Sequence, residues 1–217
     1  MRELRSDRKP ALSGKAKSVV VFLHGYGANG ADLFGLADPL APHLPDTVFL
    51  SPDAPEPAMG GHGLQWFPIP WIDGSSEEAA RQGVQRARTD LDGFLDALLR
   101  TEGLDDSALC LLGFSQGAMM ALHVAPRRRA TMAGVVAISG RLLEPQRIGE
   151  TLARPPVLLI HGDDDQVVPF ASLAQASETL TGAGFATRAH VMRGTGHGIA
   201  PDGLSMALAF LRDRLPG

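Results

Sequence analysis

The chain has 217 residues but only one cysteine, Cys110, and no long apolar run. A single cysteine cannot form a disulfide within the chain, and its place in a short apolar run predicts a small buried side chain. No stretch approaches the roughly 20 apolar residues that span a bilayer. The first ten residues are charged and lack the apolar centre of a signal peptide, so we expect a cytoplasmic protein.

An excess of basic residues is also missing. Lys and Arg total 20 against 24 Asp and Glu, which gives a net charge of −4 and argues against binding to a nucleic-acid backbone. The one basic cluster, residues 127–129, is short and follows Pro126, and we interpret it as a solvated helix end. Apolar residues make up 44% of the chain, enough for the core of a single domain over residues 1–217.

Strand-like apolar runs alternate with helical patterns along the chain. The runs are residues 18–23, 47–51, 108–114, 134–139, 156–161 and 186–192. This alternation predicts an α/β fold in which a mostly parallel sheet has helices on both faces. The clearest helix should begin with Ser75 and Glu78 in capping-box spacing and end near Gly103. Asp202 is the predicted cap of the last helix.

The most specific motif is the pentapeptide Gly-Phe-Ser-Gln-Gly at residues 113–117. It follows a predicted strand and precedes a predicted helix, which is the setting of a sharp turn that lifts a serine off the sheet edge. Alone, the motif is also compatible with a glycine-rich loop whose serine caps a helix. In its strand and helix context it predicts Ser115 as a nucleophile.

A serine nucleophile needs a base and an orienting acid, and both follow later strands. His197 lies in a glycine-rich loop before the last helix and is the predicted base. Three adjacent aspartates follow the run at residues 156–161, and we favour Asp165 as the acid. Asp163 and Asp164 have an alternative role as turn formers that accept hydrogen bonds from their own backbone.

Two loops are candidates for binding the substrate. His24 ends a predicted strand and opens a glycine-rich loop, so we predict the backbone amides of Tyr26 and Gln116 as oxyanion donors. The irregular segment at residues 51–75 holds both tryptophans, and long loops of this kind are usually functional. Its apolar side chains either line a pocket or pack the loop onto the body. They are Met59, Trp66, Phe67, Ile69 and Trp71.

Taken together, the motifs at residues 22–25, 51–55, 65–67, 113–117, 161–169 and 196–197 resemble the phospholipase/carboxylesterase family of α/β-hydrolases. This family includes the acyl-protein thioesterases, and the resemblance extends over nearly the whole chain. It implies an α/β-hydrolase fold, here without a large lid domain. It also implies Ser115, Asp165 and His197 as a catalytic triad, with the Tyr26 and Gln116 amides as oxyanion donors, and it makes a homodimer plausible.

The expected activity is that of a carboxylesterase on a small-molecule ester or thioester, through an acyl-enzyme and without a metal or organic cofactor. Tyr26 stands where eukaryotic thioesterases usually have leucine, and residues 65–69 resemble the bacterial esterases, so short to medium acyl chains and a shallow site are predicted. An acyl-protein thioesterase or lysophospholipase acting on long acyl chains is the alternative. A further alternative is a binding protein that has the same fold but catalyses no reaction.

Overall fold

The computed structural model describes residues 2–216 and contains a seven-stranded sheet in the order β1-β3-β2-β6-β7-β8-β9. Strand β1 is antiparallel to β3, and all other neighbours are parallel. A separate antiparallel hairpin is formed by β4 and β5. The strands are β1 (Ser6–Lys9), β2 (Ser18–Leu23), β3 (Thr47–Pro52), β4 (Glu56–Pro57), β5 (Leu64–Gln65), β6 (Leu109–Phe114), β7 (Gly134–Ile138), β8 (Val157–Gly162) and β9 (Thr187–Met192).

Helices cover both faces of the sheet, as the alternation of apolar runs predicted. They are α1 (Gly30–Phe34), α2 (Ala37–Leu40), α3 (Pro70–Asp73), α4 (Glu77–Glu102), α5 (Gln116–Val124), α6 (Ala171–Gly182) and α7 (Pro201–Arg214). Buried side chains of α4, α5 and α6 form the larger core cluster on one face. Those of α1, α2 and α7 form the second cluster on the other face. Both faces of the central strands are therefore buried, which explains their continuous apolar sequence.

The six predicted strands are present, with ends that differ by at most one residue. Two features were not predicted. Strand β1 is polar and lies at the sheet edge, so it has no apolar signal. The segment at residues 51–75 contains the β4–β5 hairpin and α3 instead of being wholly irregular, because two-residue strands are too short to show a period.

Both predicted helix caps are wrong by position. Ser76, not Ser75, caps α4, because its side chain accepts a hydrogen bond from the Ala79 amide. Asp202 lies within the first turn of α7, where its carboxylate is 2.8 Å from His190 Nε2, and Ala200 is the cap residue. The predicted end of α4 is correct, because Gly103 closes it with a φ of 68°.

The basic cluster at residues 127–129 is not a solvated helix end. The Arg128 guanidinium is buried and forms ion pairs with Asp92, Asp96 and Asp106. Three carboxylates from α4 and the turn before β6 offset its desolvation, so this arginine links elements of the core. Cys110 is buried as predicted, and burial raises the pKa of its thiol. Within residues 2–216, no helix has both the length and the apolar character needed to cross a membrane.

Candidate active site

Ser115 lies at the sharp turn between β6 and α5, with φ 54° and ψ −117°. A residue other than glycine rarely adopts a positive φ, and such backbone strain is typical of functional turns. The turn is tight because α5 starts directly against β2: a Cβ at Gly117 would lie 1.8 Å from the Leu23 carbonyl oxygen. Only glycine fits at this position, and the serine is held at the carboxyl edge of the sheet.

His197 and Asp165 lie in hydrogen-bond contact, although 32 residues separate them. The Nδ1 of His197 is 2.8 Å from Oδ2 of Asp165, which leaves Nε2 as the ring nitrogen available to a nucleophile. The imidazole lies beside the Ser115 turn, since its ring centroid is 4.9 Å from that of Phe114. The hydrogen bonds of residues 2–216 include none between Ser115 and His197, a contact that often tightens only when substrate binds.

The Asp165 carboxylate is buried and fully hydrogen-bonded. Its Oδ1 accepts hydrogen bonds from the Val167 and Val168 amides, each at 2.9 Å. Burial acts to raise the pKa of this carboxyl, but the hydrogen bonds from His197, Val168 and Val167 outweigh it and the pKa is lowered. The group is therefore held ionised in a fixed orientation.

His161 also reaches this carboxylate, a contact that the sequence analysis missed. Its Nε2 is 3.0 Å from the Val168 carbonyl oxygen and 3.2 Å from Oδ2 of Asp165. A carbonyl only accepts, so Nε2 carries the proton and donates it to Val168, while the same nitrogen lies close to the Asp165 carboxylate. The side chain is buried, and its position four residues before Asp165 was the available signal.

The two neighbouring aspartates have other contacts. Asp163 accepts a hydrogen bond from the Gly194 amide at 2.7 Å and thereby ties the Asp165 loop to the His197 loop. Asp164 is exposed. The described part of the chain, residues 2–216, has no group of three or more His, Cys, Asp or Glu side chains arranged to hold a metal ion.

The loop after β2 lies against the nucleophile turn: a Cβ at Gly25 would be 3.3 Å from the Ser115 Cβ. The hairpin β4–β5 holds this loop, because Leu64 exchanges backbone hydrogen bonds with Gly27 and Ala28. Within residues 2–216, the amides of Tyr26 and Gln116 donate to no other group. Two free amides on segments that touch the serine are what an oxyanion hole requires.

His24 has a structural role in this loop. Its Nε2 accepts a hydrogen bond from the Ala54 amide at 2.9 Å, so the proton is on Nδ1, which donates to the Gly25 carbonyl oxygen at 2.7 Å. Trp66 donates its indole N–H to the His24 carbonyl oxygen. Burial lowers the pKa of His24, so the neutral ring braces the backbone before Tyr26.

The side chain of Gln116 is a second contact that the sequence analysis missed. It accepts a hydrogen bond from the Trp66 amide at 2.8 Å and donates one to the Phe67 carbonyl oxygen at 2.7 Å. The residue is fully buried. A buried glutamine next to the nucleophile therefore clamps the 51–75 segment to α5.

The five substrate-binding candidates separate into two groups. Phe67 and Trp71 line a cavity of about 740 Å³. The other three do not line it: Trp66 and Ile69 are buried in the core, and Met59 is 62% exposed. All five candidates lie in one short segment, but the hairpin and helix α3 of this segment direct its side chains differently.

Tyr26 does not line this cavity either. Its hydroxyl accepts a hydrogen bond from the Met59 amide at 3.2 Å, so the ring secures the hairpin end instead of narrowing the cavity. Helix α6 and residues 141–145 supply walls of the cavity that no local sequence pattern places there, and the shallow site stays a prediction.

Neither Ser115 nor His197 is among the residues that line the cavity, but three of its lining segments are connected to the site. The 67–71 wall is joined to Gln116 through the Phe67 carbonyl. The 141–145 wall follows Gly140, where a Cβ would lie 3.2 Å from the Ser115 carbonyl oxygen. The wall at Pro169 follows Val168, whose amide holds Asp165. The lining of the cavity is therefore connected to Ser115, Gln116 and Asp165 through neighbouring residues.

The parallel sheet, the strained serine between β6 and α5, and the acid and histidine after β8 and β9 define the α/β-hydrolase class. A family model described as Phospholipase/Carboxylesterase matches residues 11–215, and the chain belongs to this family. Together with the relatives below, this makes it a carboxylic ester hydrolase.

Relatives with curated descriptions are similar over most of their length. Esterase YpfH of Escherichia coli (strain K12) is 28% identical over 204 residues, covering 93% of this chain and 84% of the relative. Acyl-protein thioesterase 1 of Neurospora crassa is 27% identical over 222 residues, covering 95% and 90%. Among solved structures, that of esterase PE8 has 42% identity and a TM-score of 0.92, and covers 99% of this chain and 100% of that one.

Proposed function

We propose that this chain is a serine carboxylesterase in which Ser115, His197 and Asp165 act as a triad on esters of short to medium acyl chains. The observation that carries the proposal is the 2.8 Å contact between His197 Nδ1 and Asp165 Oδ2, beside a serine held at positive φ. The similarity to proteins described as esterases supports the choice of reaction.

In the acylation step, the Ser115 hydroxyl attacks the ester carbonyl and His197 Nε2 takes its proton. The Asp165 carboxylate holds Nδ1 and stabilises the imidazolium. The Tyr26 and Gln116 amides donate to the oxyanion of the tetrahedral intermediate. The intermediate collapses, the alcohol leaves with the proton from His197, and the acyl group stays on Ser115.

In the deacylation step, His197 takes a proton from water, which attacks the acyl-enzyme carbonyl. The same two amides hold the second tetrahedral intermediate, which collapses as His197 returns the proton to the Ser115 oxygen and releases the carboxylic acid and free Ser115. The acyl chain lies in the 740 Å³ cavity, whose lining is largely apolar and begins at Phe67.

The test is kcat/KM across p-nitrophenyl esters from acetate to palmitate, with Ser115→Ala protein as the blank. We expect hydrolysis that depends on Ser115, with a maximum at short to medium chains. Activity equal to the blank at every length would contradict the proposal and favour a binding protein on the same fold.

A thioesterase or lysophospholipase acting on long chains is the second candidate. The volume of the cavity and the similarity to a protein described as acyl-protein thioesterase 1 favour it. It predicts that kcat/KM rises toward palmitate and is higher for a palmitoyl thioester than for the matching oxygen ester. A cytoplasmic location and a homodimer stay predictions.

A further inference from the structure

Arg141 is an unusual residue in the wall of the cavity. It lies directly after Gly140, the residue in contact with the Ser115 turn, and its side chain is half-buried. Its Nε is enclosed and has no hydrogen-bond partner within residues 2–216. Burial lowers the pKa of the guanidinium, although Glu77 acts to raise it. A guanidinium without a partner is costly to bury, so its position needs a reason.

The other cation of the cavity is different. Arg81 forms an ion pair with Glu78 at 2.6 Å and is exposed. The ion pairs of residues 2–216 within 4.0 Å include none with Arg141. Its guanidinium is instead stacked over the Trp71 ring, with its central carbon 4.2 Å from the ring centroid. Stacking fixes the plane of the fork, and the terminal Nη groups, which are not enclosed as Nε is, stay available as donors to a ligand.

Resting on the proposed esterase function, we propose that Arg141 binds a carboxylate at the far end of the acyl chain, so that half-esters of dicarboxylic acids are preferred substrates. The planar guanidinium fork matches a carboxylate with two parallel hydrogen bonds. Two carboxylates, Glu77 and Glu144, line the cavity beside the guanidinium groups of Arg81 and Arg141, and this balance of charge suits a single negative charge better than a phosphate dianion.

The distance from the serine sets the chain length. Consecutive Cα atoms are about 3.8 Å apart, so the Cα of Arg141 is one residue from the contact with Ser115, while its guanidinium lies over the Trp71 ring. A carboxylate separated from the reacting carbonyl by several methylene groups can meet the guanidinium. The methylene groups would then lie along the apolar surface that starts at Phe67.

The test compares p-nitrophenyl half-esters of glutarate, adipate, pimelate and suberate with neutral esters of the same shape, in which an isopropyl end replaces the carboxylate. For adipate the neutral partner is the 6-methylheptanoate. We expect the wild type to prefer the anionic ester at one chain length. Arg141→Gln should lower this preference by about tenfold to hundredfold, the effect of losing a charged hydrogen bond.

The neutral ester is the internal control, since the ratio of the two kcat/KM values within one variant cancels any loss of folded protein. Arg188→Gln, on β9 and away from the cavity, makes the same change of net charge and should leave the ratio unchanged. Arg141→Lys should keep part of the preference because it keeps the charge without the fork. A wild-type ratio near one at all lengths, or a ratio that Arg141→Gln leaves unchanged, would overturn the proposal.

The two proposals fail in different ways. If neutral esters are hydrolysed in a Ser115-dependent manner without any anionic preference, the esterase function stands and the role of Arg141 is wrong. If no ester is hydrolysed, calorimetric binding of adipate to wild type and Arg141→Gln still decides the second question. Weaker binding by the variant supports the carboxylate site, and equal or absent binding by both rejects it.

Discussion

Two regions around the cavity differ in whether their buried polar atoms have hydrogen-bond partners. In the loops after β8 and β9, the Asp165 carboxylate has contacts with two amides and two imidazoles. In the segment at residues 139–145, buried atoms of Ser139, Arg141 and Glu144 have no hydrogen-bond partner within residues 2–216. The first region is complete before substrate arrives, and in the second the Arg141 guanidinium, which lines the cavity without an ion-pair partner among the described residues, is left for a ligand.

The complete region should fail as a unit. We expect His197→Ala to lower kcat by roughly a millionfold, and the double variant with Ser115→Ala to be no worse than either single change. The reason is that nucleophile and base act in one step. The kcat values of the single and double variants are measured with p-nitrophenyl acetate. A double variant whose loss of kcat equals the product of the two single losses would contradict a shared step.

Within this region the two hydrogen-bonded aspartates should differ strongly. Asp165→Asn keeps the shape but cannot stabilise the imidazolium, and we expect kcat to fall about 10⁴-fold. Asp163→Asn is the matched control, because that carboxylate contacts the Gly194 amide and not His197, and it should retain most activity. The opposite ranking of the two variants would reassign the acid.

His161 acts through Asp165 and is a positioning residue. Removing its N–H in His161→Phe should lower kcat on the order of tenfold with little change in KM, since the hydrogen bond to the Val168 carbonyl and the polar contact with the carboxylate are lost. The pH profile of kcat should shift as well, because Asp165 would hold His197 differently. His161→Gln, which restores an N–H donor, should recover part of kcat. Equal loss in both variants with an unchanged profile would indicate packing alone.

The smallest expected effect is on stability and concerns His123, a buried side chain without a partner in the described part of the chain. His123 in α5 is buried, and both ring nitrogens have no hydrogen-bond partner within residues 2–216. Burial and the nearby Arg127, Arg88 and Arg147 lower its pKa to about 3. We expect His123→Leu to raise the free energy of unfolding by about 1 kcal/mol at pH 7, because it removes unsatisfied polar atoms.

The same histidine predicts a dependence of stability on pH. Between its unfolded pKa of roughly 6.5 and its folded pKa, only the unfolded chain binds the proton, so stability falls as the pH falls. Urea unfolding should show wild type losing about 2 kcal/mol more than His123→Leu between pH 7 and pH 5. The exposed His43, changed to Leu, is the control and should follow wild type.

The sequence predicted the α/β fold because apolar runs and helical periods are local signals. The parallel strands follow from this alternation, and the motif at residues 113–117 and the polar residues after two later apolar runs place Ser115, Asp165 and His197 at the carboxyl ends of strands. The errors lie where local signals are weak or ambiguous. Ser75 and Ser76 are both suitable caps in the sequence, and only the backbone of the turn before α4 decides between them.

The contacts across the site were outside the reach of sequence reasoning. Pattern does not show that His161 shares the carboxylate of Asp165, or that the Gln116 side chain holds the backbone at Trp66 and Phe67. It also does not show that Arg128 is buried among three carboxylates. Each of these contacts depends on side-chain directions that the packing fixes.

The six parallel strands of the sheet, the main helices and the reactive residues at the strand ends can be read from the sequence. Which polar groups find partners depends on the tertiary packing. Arg141 and Arg128 are the same residue type, 13 positions apart, yet one meets three carboxylates and the other none within residues 2–216. The physical reason is that a side chain's partners come from segments distant in the chain, which only the packed core brings within hydrogen-bond distance.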